Sequence, residues 1–189
     1  MTEREVLALY EKTGALMRGH FRLTSGLHSG IYLQSALVLQ YPEHAEALGR
    51  ALAAPFAAAH LTAVVAPAIG GIPVSHEVAR ALGARALFAE RENGVMTLRR
   101  GFTVVPGERC LVVEDVITTG GSTREVVSCV EAAHGTVVGV GALVDRSGGA
   151  ATFSVTHAAL AKIEAVNHPP ERCPLCAAGG QAVKPGSRS

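Results

Sequence analysis

Apolar residues along this chain follow two different periods. Short, mostly apolar runs at 62–66, 84–89, 110–113 and 136–144 have the length of strands. Between them, apolar positions recur at helical spacing over 73–82 and 122–134, the second through Val126, Val127 and Val130. Gly83 and Gly135 stand where those helices should end. Upstream, 2–18 reads as an amphipathic helix, and 42–60 as an Ala-rich helix with Pro42 in its first turn and a break at Pro55. Short extended pieces are expected at 21–24 and 31–35, around a turn-rich link at 25–30. A polar segment at 91–101, a short strand at 102–105, a Pro106-Gly107 turn and a late strand at 161–166 complete the pattern.

Strand–helix alternation of this kind predicts an α/β fold, a Rossmann-like parallel sheet flanked by helices on both faces. Ligands of such sheets bind beyond the carboxyl ends of the strands. Three segments fall at such ends: 67–71, 114–123 and Asp145-Arg146. The whole chain reads as one domain, with a core over 36–149 and a small cap built from 1–35 and 150–189.

The densest chemistry lies at 110–123, CLVVEDVITTGGST. A buried strand runs into two adjacent acids, Glu114 and Asp115. A small, polar, Gly-rich turn follows, and then a helix. That order aims backbone N–H groups and the positive end of a helix at one point, which makes a phosphate cradle. Carboxylates beside a phosphate must face something else, and ribose hydroxyls or a bridging Mg²⁺ suit them. The segment lacks the Gly-Lys-Ser/Thr of a Walker A loop and is not a dinucleotide fingerprint.

Composition narrows the choice. The chain has 189 residues and 48% hydrophobic content, which excludes disorder. Aromatics make up 4%, Trp is absent and net charge is +1, so neither a base-stacking platform nor a basic nucleic-acid groove is expected. No apolar stretch is long enough to span a membrane, and the charged N-terminus lacks a signal-peptide core, so a cytoplasmic protein is expected. Cys110 and Cys129 sit in apolar patterns and read as core. Cys173 and Cys176 form a Cys-Pro-Leu-Cys knuckle, which is half of a zinc site completed by His168 or another subunit, a redox pair, or a tight turn.

The run at 110–123 resembles the phosphoribosyl-pyrophosphate (PRPP) signature of type I phosphoribosyltransferases. Further matches narrow the resemblance to orotate phosphoribosyltransferases. Phe21-Arg22-Leu23-Thr24-Ser25-Gly26, with Ser29 and Tyr32, is similar to their N-terminal motif. Pro67-Ala68-Ile69-Gly70-Gly71-Ile72-Pro73 resembles their pyrophosphate loop, and Val144-Asp145-Arg146 the end of their last core strand. The Cys-Pro-Leu-Cys tail ending Lys184-Pro185-Gly186-Ser187-Arg188 resembles one prokaryotic branch.

The resemblance implies transfer of phosphoribose from PRPP to orotate in a homodimer, with Mg²⁺ arriving on PRPP and no firm protein ligand to it. It implies that Glu114 and Asp115 hold the ribose diol, with Asp115 also catalytic. Val116, Ile117, Thr118, Thr119, Gly120, Gly121 and Ser122 would wrap the 5′-phosphate, and Arg91, Ile69 and Gly70 would meet the pyrophosphate. Thr118, Arg146, Tyr32 and Leu33 would line the orotate pocket. The chain departs from many relatives in carrying Thr24 and Gly70 where they have Lys. Its loop at 92–101 holds only Arg99 and Arg100 as cations, and these are expected to do the loop's electrostatic work, in the neighbouring subunit's site. Asp145 is expected to orient Arg146 or pair with it rather than bind metal. His28 reads as a surface-turn residue or one that approaches the ligand from the cap, and His20 as a helix-flank or solvent residue. Two other functions compete: purine or xanthine specificity, and a PRPP-sensing regulator that binds nucleic acid.

Overall fold

The computed structural model describes residues 1–23 and 25–185. Thr24 and the end of the tail motif, Gly186, Ser187 and Arg188, lie outside the described residues. The main sheet is six-stranded, in the order β5-β4-β3-β6-β7-β8. Its strands are β3 (Ala63–Pro67), β4 (Arg85–Glu92), β5 (Val95–Leu98), β6 (Arg109–Ile117), β7 (Thr136–Asp145) and β8 (Thr156–Lys162). All neighbours run parallel except β4 and β5, which form an antiparallel hairpin.

The apolar runs of β3 and β6 are continuous because both faces of the sheet are buried there. Val64, Leu111 and Val113 face one core, shared with α1 (Glu3–Lys12), α3 (Pro42–Ala53) and α4 (Gly71–Leu82). Val65, Cys110 and Val112 face the other, closed by Val126 and Val130 of α5 (Gly121–Ala132). Pro42 sits in the first turn of α3, and the chain tightens into a 3₁₀ turn across Pro55. Gly83 takes the left-handed conformation that ends α4.

A second sheet of three strands joins β1 (Leu16–Arg22), β2 (His28–Leu33) and β9 (Asn167–His168). Val183 bridges to Phe21, which ties the tail to this sheet. Two short helices, α2 (Ala36–Leu39) and α6 (Pro174–Ala177), flank it in sequence. The expected cap of 1–35 plus 150–189 thus includes two elements that pack elsewhere: Val6 and Tyr10 of α1 enter the main core, and β8 is an edge strand of the main sheet.

Several boundaries differ from expectation for local reasons. The N-terminal helix, started by a Thr2–Glu5 capping box, stops at Lys12 rather than running to 18. The Thr13 hydroxyl bonds back to Leu9 O, and Gly14 is left-handed, after which β1 begins. The polar segment at 91–101 is largely a hairpin, because Asn93 and Gly94, both at positive φ, form a primed turn. The strand expected at 102–105 is therefore β5 instead. The strand expected at 161–166 lies earlier, as β8. His134, not Gly135, takes the left-handed position after α5, whereas Gly135 is needed for packing: a Cβ there would lie 2.6 Å from Val104 Cγ1.

Candidate active site

The Gly-rich turn joins the carboxyl end of β6 to the start of α5. Gly120 holds φ +76°, and a Cβ there would lie 2.8 Å from Arg124 Nη1 and 3.2 Å from Phe153. No side chain caps α5, so the donors of its first turn remain available to an incoming acceptor. Arg124 Nη2 donates to Thr119 O at 2.6 Å and clamps the turn from behind. The result is a cavity of about 60 Å³ lined by Glu114 and by every residue from Val116 to Thr123. The residues expected to wrap a phosphate, Val116 to Ser122, all line this cavity, together with Glu114 and Thr123.

Glu114 borders this cavity on its acidic side, and Asp115 follows it in the chain. Glu114 is buried, and its pKa is pushed up to about 9, first by desolvation and then by the neighbouring Asp115 charge. Its Oε1 accepts the Asp115 N–H at 3.2 Å. Among the described residues no Lys or Arg forms an ion pair with either acid. The loop after β3 closes over them, with a cis peptide between Ala68 and Ile69. A Cβ at Gly70 would fall 2.7 Å from Asp115 Oδ1, so glycine is what lets this backbone reach the carboxylate. Ile69 beside it is 83% exposed. Tyr10 of α1 supports the acids from beneath: its hydroxyl meets Ser35 Oγ at 3.2 Å, and burial, with a smaller effect of the Asp115 charge, raises its pKa.

Arg146 follows β7 and is held at the end of the neighbouring strand by its N–H on Ile117 O. It is 7% exposed, and desolvation lowers its pKa. Its Nη2 donates to Asn167 Oδ1 at 3.0 Å and to Ser29 Oγ at 3.3 Å. No acid forms an ion pair with it among the described residues. Asp145 does not pair with it as expected; it accepts the Ser147 N–H at 2.8 Å and lies 3.9 Å from His157 Nε2, because consecutive strand residues face opposite ways. Tyr32 stands on β2 with its ring 5.8 Å from that of Phe21, while the adjacent Leu33 packs against the main core. Asn167 escapes sequence reasoning: a lone Asn before His-Pro-Pro carries no motif, and only its β9 pairing with Ser29 brings it to Arg146.

The three remaining cations are engaged elsewhere. Arg91 pairs with Glu125 at 2.7 Å and donates to Gly94 O at 2.9 Å. Arg99 pairs with Glu92 at 3.2 Å, and Arg100 with Glu90 at 2.9 Å. All three lie on the β4–β5 hairpin or just after it. β3 stops at Pro67, opposite Ala89, while β4 continues to Glu92 and β5 returns to Leu98, opposite Ala89, so Arg99 and Arg100 follow at the level of the end of β3.

Cys173 and Cys176 do not meet His168. They meet His20 and His28, which lie on β1 and β2 rather than in a helix flank and a surface turn. Cys110 is in the core, as expected, and Cys129 is half-buried against it.

Comparison with known proteins agrees with this geometry. A family model described as "Phosphoribosyl transferase domain" matches residues 39–154. An orotate phosphoribosyltransferase of Pelotomaculum thermopropionicum is 62% identical, over 100% of this chain and 99% of that protein. The same-named protein of Desulforamulus reducens is 54% identical, over 100% and 98%. Among solved structures, the orotate phosphoribosyltransferase of Aeropyrum pernix superposes with a TM-score of 0.68 at 26% identity, covering 84% of this chain and 94% of that one.

Proposed function

The chain belongs to the orotate phosphoribosyltransferase family, and on that premise we propose how its residues carry out the transfer. The reaction joins orotate and PRPP into orotidine 5′-phosphate and diphosphate. The bond from the anomeric carbon to the diphosphate oxygen breaks, and the electron pair leaves with diphosphate. A bond from orotate N1 to the same carbon replaces it, and the N1 proton is lost. Positive charge grows on the ribose ring while negative charge grows on the leaving group, so positioning and electrostatics supply the catalysis.

The observation that carries this reading is Arg146, a buried guanidinium with no acid pairing with it among the described residues, beside a phosphate cradle. A planar anion such as orotate supplies the missing charge, and the Arg fork suits its carboxylate. A neutral purine would leave that cation unpaired, which disfavours the purine and xanthine alternative. The net charge of +1 gives no support to a nucleic-acid-binding regulator.

In this reading the turn from Val116 to Ser122 holds the 5′-phosphate through its amides and hydroxyls, and Asp115 and Glu114 hold the ribose hydroxyls. Thr118, Tyr32 and Leu33 border the base, and Ile69 and Gly70 lie along the pyrophosphate. Mg²⁺ fits an edge where two acids lack a basic partner among the described residues, and when carried in on PRPP it would neutralise charge on the departing diphosphate. Arg99 and Arg100, which follow the β4–β5 hairpin, serve the neighbouring subunit's site in a homodimer. Arg91 reaches pyrophosphate only when its pair with Glu125 opens. A cytoplasmic location is consistent with a chain in which no described helix is long and apolar enough to cross a membrane.

The test is a spectrophotometric assay of orotate, uracil, adenine, hypoxanthine and xanthine with PRPP and Mg²⁺. Only orotate should be consumed. Arg146→Gln should raise the KM for orotate about 10- to 100-fold while leaving PRPP affinity unchanged. Equal turnover of a purine, or an unaltered orotate KM in that variant, would remove Arg146 from the base pocket.

A further inference from the structure

Four side chains that the transfer reaction does not use converge between the small sheet and the tail: His20 of β1, His28 of β2, Cys173 and Cys176. Each presents one ligand atom, and all four atoms lie within 4.8 Å of one another. His20 Nε2 is 2.9 Å from His28 Nδ1, 3.5 Å from Cys173 Sγ and 3.7 Å from Cys176 Sγ. Cys176 Sγ is 3.3 Å from His28 Nδ1. In a tetrahedral zinc site, with bonds of about 2.0–2.1 Å to nitrogen and about 2.3 Å to sulfur, the edges between ligands are about 3.3–3.8 Å. Three of these four edges fall within that range, and the His20–His28 edge is shorter, at 2.9 Å.

Hydrogen bonds cannot account for the cluster. One His20 nitrogen faces three heteroatoms, and a single hydrogen or lone pair satisfies one of them. Its other nitrogen, Nδ1, is buried without a partner, so nothing else among the described residues orients the ring. Both cysteines are free thiols, and Cys173 is 3% exposed. The Cys-Pro-Leu-Cys spacing places Cys173 just before α6 and Cys176 within it, so both sulfurs face the same way.

We infer that His20, His28, Cys173 and Cys176 bind one structural Zn²⁺. The two thiols lose their protons to solvent on binding, the two imidazoles stay neutral, and the centre carries no net charge. Two thiolates with two imidazoles in a tetrahedron select zinc over the hard cations, which prefer oxygen. Four protein ligands leave no open position, so the site is structural rather than hydrolytic. It clamps the tail to the β1–β2 hairpin, one residue from Ser29 and beside Asn167, the two partners of Arg146.

The test uses the full chain without a histidine tag, purified under reducing conditions without chelator. Elemental analysis should find about one zinc per chain, and Co²⁺ exchange should give the ligand-field and thiolate charge-transfer bands of a tetrahedral site. Cys176→Ser and His20→Ala should each lose most of the metal, while the exposed-surface variant His76→Ala keeps it. Zinc removal should lower the melting temperature and raise the orotate KM several-fold. Two results would overturn the site: no zinc as isolated and none taken up from added Zn²⁺, or a Cys173–Cys176 disulfide whose reduction creates no metal affinity. Metal loss with an unchanged orotate KM would overturn its link to Arg146. None of these metal readouts depends on which base the enzyme accepts.

Discussion

The central strand β6 has a buried glutamate at each end, and the fold treats the two in opposite ways. Glu108 precedes the strand at the base of the sheet, Glu114 sits near its ligand edge, and both are 8% exposed. Glu108 accepts from Arg85 Nη2 at 2.7 and 2.8 Å, from the Val105 N–H at 3.0 Å and from Thr62 Oγ1 at 3.3 Å. Burial alone would raise its pKa, but these donors together hold it below the ordinary carboxylate range. Among the described residues Glu114 has only the Asp115 N–H, and its pKa rises to about 9. A buried acid that only holds structure is given its partners by the protein. One that meets a ligand is left short of them, and stability is given up where function needs an open valence.

The largest effect that could break this contrast is on turnover. Asp115→Asn and Glu114→Gln should each lower kcat/KM by about 100-fold or more, whereas Glu108→Gln should leave it within about threefold. Steady-state assays of the three variants decide it, and similar losses at both ends would erase the distinction.

The hairpin sharpens the comparison, because there the acids are paired although they lie at the ligand edge. Glu90 holds Arg99 and Arg100 in reserve, its pKa lowered by the Arg100 hydrogen bonds. If those arginines leave the pair to act on a partner's site, Arg99→Ala and Arg100→Ala should each lower kcat about tenfold with little change in orotate KM. Unchanged turnover in both would make the pair structural, like that of Glu108.

The smallest effect is on folding, and its sign differs between the two glutamates. Glu108 has a lowered pKa, so its stabilisation is present above the ordinary carboxylate value and is lost as pH falls through the folded pKa. Glu108→Gln should therefore cost about 1–2 kcal/mol at neutral pH and less in acid. Glu114 has a raised pKa, so its stability is full below 4.5 and declines as pH rises toward about 9. Glu114→Gln should stabilise the ligand-free protein at pH 8 and have little effect near pH 4.5. Denaturant melts at the two pH values test both signs.

What could be read from the residues alone depended on distance along the chain. The cradle was legible because its strand, acids, glycines and helix are contiguous, and contiguous residues need no topology to meet. The alternation of Val64 with Val65, and of Leu111 with Val112, made a sheet buried on both faces legible in the same way. The β4–β5 hairpin carried a usable signal in Asn93-Gly94, masked by the polar residues around it. The pairing of Arg146 with Asn167 and Ser29, and of Cys176 with His28 across 148 residues, carried none, since only the register of β2 against β9 creates those contacts.

The bridge from Val183 to Phe21, with β9 against β2, has a consequence for biogenesis. The β1–β2 hairpin is made early, but the segments that complete its sheet are translated after every strand of the main sheet. During synthesis the nascent hairpin must wait with one edge unpaired while the main sheet is completed, so the small sheet that supplies Ser29 and Asn167 to Arg146 is the last to be closed.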